Sequence, residues 1–139
     1  MIFTGECFGP TDASRILIVD DDPVARQIAR HLLEHAGYVV DAVDAGATAL
    51  EALRRERYVL LLLDIKLPDM DGFAVAVAVA AVLPVGHRPW IVAASALADV
   101  GDEPRYLAAG FDACLGKPLR RASLIACVEA GIAQRAHLL

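Results

Sequence analysis

The stretch Tyr58-Val59-Leu60-Leu61-Leu62-Leu63-Asp64 decides the fold. Its apolar residues run without alternation, which describes a strand covered on both faces, as in a parallel sheet. The run ends in a carboxylate, at what would be the C-terminal tip of the strand. A second run, Ile16-Leu17-Ile18-Val19, ends the same way in Asp20-Asp21-Asp22. Two such strands place carboxylates at one edge of a sheet, where they repel one another unless a cation or a proton intervenes. That edge is also where open α/β sheets bind ligands. The pattern points to a metal-assisted carboxylate site with chemistry on Asp64.

Working outward, the first strand is expected over Arg15–Val19. Asp22 and Pro23 then read as the N-cap and first position of a helix. Val24, Ile28 and Leu32, with Leu33 beside them, form its expected inner face, and Gly37 its stop. Tyr38–Val43 reads as a strand, Thr48–Arg57 as a helix with Leu50 and Leu53 inward, and Tyr58–Leu63 as the third strand. After a loop from Ile65 to Gly72, Phe73–Leu83 presents a conflict. Ala and Val alternate strictly from Ala74 to Ala80, which is strand periodicity, but alanine favours helix and a parallel sheet needs a crossover here. Helix is the reading adopted. Pro89–Ala94 is a fourth strand, Tyr106–Ala109 part of a helix with Pro104 in its first turn, Ala113–Gly116 a fifth strand, and Leu119–Gln134 a last helix with Ile125, Val128 and Ile132 inward. Five βα units imply a doubly wound α/β fold with helices on both faces of a parallel sheet. Met1 to Ser14 reads as a loose N-terminal extension to a single domain over residues 15–139.

Composition excludes several classes. The 139 residues are 57% hydrophobic and 22% charged, with a net charge of −5 and no basic block, which speaks against nucleic-acid binding. Phe73 to Val85 is too short to span a bilayer, and Met1 to Ser14 lacks the features of a signal peptide. Cys7, Cys114 and Cys127 are odd in number and lack metal-type spacing, so reduced thiols in the cytoplasm are expected.

Every strand end that should carry chemistry in this layout carries a suitable group: Asp20 and Asp21 on the first strand, Asp64 on the third, Ser95 on the fourth, and Lys117 before Pro118 on the fifth. Oxygen ligands alone suit Mg²⁺. A lysine and a hydroxyl can hold phosphate oxygens and stabilise a phosphoryl group in transfer. With these residues in view, the chain resembles the response regulator receiver domain. The likeness is carried by Ile16 to Pro23, by Leu63 to Gly72, by Ala94-Ser95-Ala96, and by Leu107 to Gly110 leading to Gly116-Lys117-Pro118. It covers roughly Arg15 to Gln134. The resemblance implies a flavodoxin-like, five-stranded sheet in order 2-1-3-4-5 with five flanking helices. It implies that Asp64 accepts phosphate, that Asp20, Asp21 and Asp64 with the backbone carbonyl of Lys66 hold Mg²⁺, that Ser95 is the switch hydroxyl, and that Lys117 contacts the phosphoryl group with a cis bond to Pro118.

The expected partners are a histidine kinase or histidine phosphotransfer protein and a downstream protein target, with neither nucleic acid nor membrane. The expected function is that of a stand-alone receiver, since no output domain follows Leu139; it is a phospho-acceptor rather than an enzyme. The alternative is a pseudo-receiver, or a receiver fragment of a hybrid histidine kinase, acting as a binding module. A haloacid dehalogenase-type phosphatase is rejected because Lys66 stands where that family has a second Asp. Two departures mark the chain. Cys114 occupies a position where relatives usually carry Tyr or Phe, and the Phe73–Leu83 helix lacks charge. Val75, Val77 and Val79 cannot all be buried on that helix, and its exposed face suits a homodimer or a partner helix. Asp22 and Asp69 read as cap and turn residues, His31 and His35 as a solvent-facing pair, Cys114 as a small buried hydrophobe, and Trp90 as packing at a strand edge.

Overall fold

The computed structural model describes residues 15–96 and 103–138. Each apolar run becomes a strand: β1 (Arg15–Val19), β2 (Val39–Val43), β3 (Leu60–Asp64), β4 (Trp90–Ala96) and β5 (Ala113–Lys117). The helices are α1 (Pro23–His35), α2 (Gly46–Arg55), α3 (Gly72–Val82), α4 (Glu103–Ala108) and α5 (Arg121–Leu138). A single 3₁₀ turn, Val85–His87, lies between α3 and β4 and was not foreseen. The sheet has the expected order β2-β1-β3-β4-β5, with every pairing parallel. Alternation along the strands feeds two cores. Leu17, Val19, Leu61, Leu63, Ile91 and Ala93 pack with residues of α2, α3 and α4. Ile16, Ile18, Leu60, Leu62, Val92 and Ala94 pack with residues of α1 and α5. Burying each Leu or Ile is worth about 1.5–3 kcal/mol, so the unbroken leucine run of β3 is the spine of both cores.

Local chemistry sets the helix ends. Asp22 accepts a hydrogen bond from the Val24 amide at 3.0 Å, and Pro23 opens α1. Gly37, at φ 101°, adopts the left-handed turn that ends it. Asp71 caps α3 through the Ala74 amide at 2.8 Å. Ala45, the N-cap of α2, offers no side-chain acceptor. Asp69 supplies one from the loop after β3, its carboxylate accepting from the Gly46 and Ala47 amides, each at 2.9 Å. Asp69 is therefore a cap across space, beyond the turn residue expected of it.

Several expectations are corrected. The inner face of α1 is Ala29 and Leu33, whereas Val24 is 66% and Ile28 51% exposed. Small Ala29 at the contact lets the helix sit close to the sheet, and that rotation turns the larger Val24 and Ile28 outward. In α2, which begins before Thr48, Ala49 joins Leu53 inside and Leu50 is only half-buried. In α5, Leu124 and Val128 are buried, while Ile125 and Ile132 lie at the margin. Trp90 is the first residue of β4, an interior strand, and its ring packs against Gly131 of α5, where a Cβ would come within 2.6 Å. Cys114 is only half-buried. The alternating segment is helical, with Val75 and Val79 buried and Val77 61% exposed. The proposed extension, residues 1–14, and the loop segment 97–102 lie outside the described residues. Among the described residues, no helix is long and apolar enough to cross a membrane.

Candidate functional site

Parallel pairing of β1 with β3 sets the acidic turn after Val19 beside the Asp64 tip. One ligand atom from each of Asp20, Asp21 and Asp64 lies within 4.8 Å of the others. Asp20 and Asp64 are buried and Asp21 is exposed. Lys117 ends β5 beyond the intervening β4, and its long side chain reaches back over the sheet edge. Its Nζ donates to Asp20 Oδ2 at 2.9 Å and stands 3.4 Å from Asp64 Oδ2. The Lys117–Pro118 bond is cis, as expected. Backbone amides hold the other oxygens: Asp22 N donates to Asp20 Oδ1 at 3.0 Å, and Lys66 N to Asp64 Oδ1 at 3.3 Å.

The electrostatics follow from this crowding. Burial and the neighbouring charge of Asp20 raise the Asp64 pKa above the ordinary carboxylate value, outweighing the opposing pull of Lys117. Lys117 sits closer to Asp20 than to Asp64, so its charge is shared. Burial lowers the Lys117 pKa, but the hydrogen bond to Asp20 and the charges of Asp64 and Asp20 reverse that, and the net shift is upward. One ammonium against three carboxylates leaves the pocket negative, and its donors are all oxygen. That donor set fits a hard divalent cation such as Mg²⁺, which takes few carboxylates and keeps several waters.

The structure brings Asp20, Asp21, Asp64 and Lys117 together. Ser95 stands on β4, one residue beyond the Asp64–Ala94 pair, and is 4% exposed. Its hydroxyl lies 3.9 Å from Cys114 Sγ rather than bonding the carboxylates. Lys66 touches Asp64 through its amide. Two supporting residues escaped the sequence reading. Arg26 donates to the Asp20 carbonyl at 2.8 Å and braces the acidic turn; its position in the first turns of a helix gave no signal. Gly72 opens α3 against the site, where a Cβ would stand 2.9 Å from Ile65 Cα and 3.0 Å from the Asp64 carbonyl oxygen. The sequence reading placed it at the end of the loop and in the Leu63 to Gly72 motif, without this close-approach role.

A flavodoxin-like parallel sheet carrying three carboxylates and a lysine at its carboxyl edge defines the class of molecule. The family model described as "Response regulator receiver domain" matches residues 16–129, and the chain belongs to that family. It is 37% identical over 120 residues to the aerobic respiration control sensor protein ArcB of Escherichia coli, covering 86% of this chain but 15% of that protein. It is 36% identical over 115 residues to the transcriptional activator protein IrlR of Burkholderia pseudomallei, covering 83% of this chain and 48% of the relative. The chain thus spans less than half the length of these curated relatives. Among solved structures, a CheY-like receiver domain protein from Methanospirillum hungatei superposes with a TM-score of 0.80 at 29% identity, covering 91% of this chain and 98% of that one. A sensor protein from Polaromonas superposes with a TM-score of 0.78 at 31% identity, covering 88% and 98%.

Proposed function

We propose that the chain accepts a phosphoryl group on Asp64 from a phosphohistidine of a histidine kinase or phosphotransfer protein, with output through contacts to a downstream protein. The observation that carries this reading is the placement of the Asp64 carboxylate 3.4 Å from the Lys117 ammonium and within one cluster with Asp20 and Asp21. An ionised Asp64 oxygen attacks the phosphorus, the P–N bond of the donor breaks, and the imidazole, already protonated on its other ring nitrogen, leaves neutral with the bonding pair. Lys117 favours the ionised form of Asp64, partly offsetting its buried surroundings, and can donate to a phosphoryl oxygen. Ser95 donates to another once its hydroxyl turns toward the site. Asp20, Asp21, Asp64 and the Lys66 carbonyl would hold Mg²⁺, which when bound neutralises carboxylate and phosphoryl charge. The reaction modifies the protein itself, so the chain is a phospho-acceptor rather than an enzyme acting on a released substrate.

The match to 15% of a sensor protein supports a second reading of context, in which the same chemistry belongs to a receiver module of a larger sensor. A pseudo-receiver that only binds partners is disfavoured by the assembled carboxylates and lysine. Incubation with acetyl phosphate or phosphoramidate, followed by intact mass measurement, tests the proposal. One phosphoryl group should be gained with Mg²⁺ and none with EDTA in its place; no gain even with Mg²⁺ would leave only the binding-module reading.

A further inference from the structure

We propose that Cys114 is a positioning residue for Ser95: its thiol holds the serine hydroxyl in the unphosphorylated chain and gives it up when a phosphoryl group arrives. The assignment rests on Asp64 being the acceptor. Cys114 pairs with Ala93 and Ser95 with Gly116, so Cys114 stands two residues back from Ser95's partner, and residues two apart share a face of a sheet. On that face Cys114 packs against the core beneath α3 and α4. Ser95 as a residue is 4% exposed, and buried polar groups as a rule find a hydrogen-bond partner. The Cys114 sulfur, 3.9 Å away, supplies it, and either group can donate. A thiol is a weak donor and a weak acceptor. At 3.9 Å the contact is a weak one, and it is weaker than a hydrogen bond to an anionic phosphoryl oxygen. Arrival of the phosphoryl group exchanges one partner for the other without breaking a covalent bond. Removing the thiol raises the resting state alone and leaves the phosphoryl-bound state as it was.

The test compares wild type with Cys114→Ala, Cys114→Val and Cys114→Ser, measuring the Kd for beryllofluoride with Mg²⁺ by calorimetry. Loss of a weak hydrogen bond from the resting state should tighten binding about threefold in both the Ala and the Val variants. Cys114→Ser keeps a partner and should bind as wild type does or more weakly. Val fills the space that Ala leaves, so a packing effect would separate these two variants while a hydrogen-bond effect groups them. In a Ser95→Ala background, Cys114→Ala should no longer change Kd. An equal shift with and without Ser95, or unchanged binding in both Ala and Val variants, overturns the assignment. Wild-type protein that binds no beryllofluoride overturns the acceptor reading and this one with it; binding that ignores Cys114 overturns this one alone.

Discussion

Burial and the charge of Asp20 make the Asp64 carboxylate costly to ionise in the folded chain, while Lys117 only partly offsets them. A carboxyl whose pKa is raised by folding stabilises the fold while protonated, and that contribution is lost as pH climbs through the raised value. Asp64→Asn should therefore raise the thermal midpoint in EDTA at neutral pH, with the gain shrinking as pH falls toward the ordinary carboxylate pKa of about 3.9. A variant less stable than wild type at neutral pH would contradict this sign. Asp69 behaves oppositely. Amides of Gly46 and Ala47 hold its pKa below the usual value, so its contribution is present above the ordinary carboxylate range and lost as pH falls through the lowered value. Asp69→Ala should lower the midpoint at neutral pH, and the gap should close on acidification. Asp20, Asp64 and Lys117 were legible together rather than singly: one charged strand end is commonly a turn or a cap, but several on the strands of one parallel sheet converge on the same edge. Asp69 was not, since it caps a helix more than twenty residues earlier in the chain.

At the scale of elements, α3 shows two periodicities in competition. Alternating Ala and Val would fit a strand, but a parallel crossover requires a helix, and the helix wraps alternate valines around its axis. Val75 and Val79 face the core and Val77 faces outward. Val77→Lys should change stability by no more than about 0.5 kcal/mol, as surface substitutions do. Val79→Lys buries an unpaired charge and should cost more than about 3 kcal/mol, judged by chemical denaturation. Equal costs at both positions would mean that α3 is rotated from the placement described. Light scattering of Val77→Lys checks the homodimer expectation, since an unchanged mass would remove that face as a self-association surface. The rotation of α1 was less legible. Of the expected stripe Val24, Ile28, Leu32 and Leu33, Leu33 is buried and Leu32 packs partly against the core, while Val24 and Ile28 are exposed and the small Ala29 takes the inner place. Its start was clear, and Asp22→Ala should cost about 1 kcal/mol through loss of the cap.

Across the whole molecule, the sheet order concentrates negative charge at one edge, and the leucine spine of β3 delivers Asp64 to it. A cation bound only by the folded state stabilises it in proportion to occupancy, by about 2.7 kcal/mol at a hundred times its Kd. Mg²⁺ should raise the thermal midpoint of wild type, and Asp21→Asn should weaken that rise; a midpoint indifferent to Mg²⁺ would remove the metal from the account. The continuous apolar runs made the parallel α/β class legible, and the motif resemblance supplied the strand order. The contact between Ser95 and Cys114 depends on the β4–β5 register, which no local pattern specifies. The central claim is that Asp64 takes the phosphoryl group, and aspartyl phosphate is trapped by hydroxylamine as a hydroxamate. Peptide mapping of protein treated with phosphoramidate and Mg²⁺ and then hydroxylamine tests it most directly. A hydroxamate at Asp64, absent without the phosphoryl donor, is the expected result; trapping at another residue, or unmodified Asp64 beside a phosphorylated protein, would refute Asp64 as the acceptor.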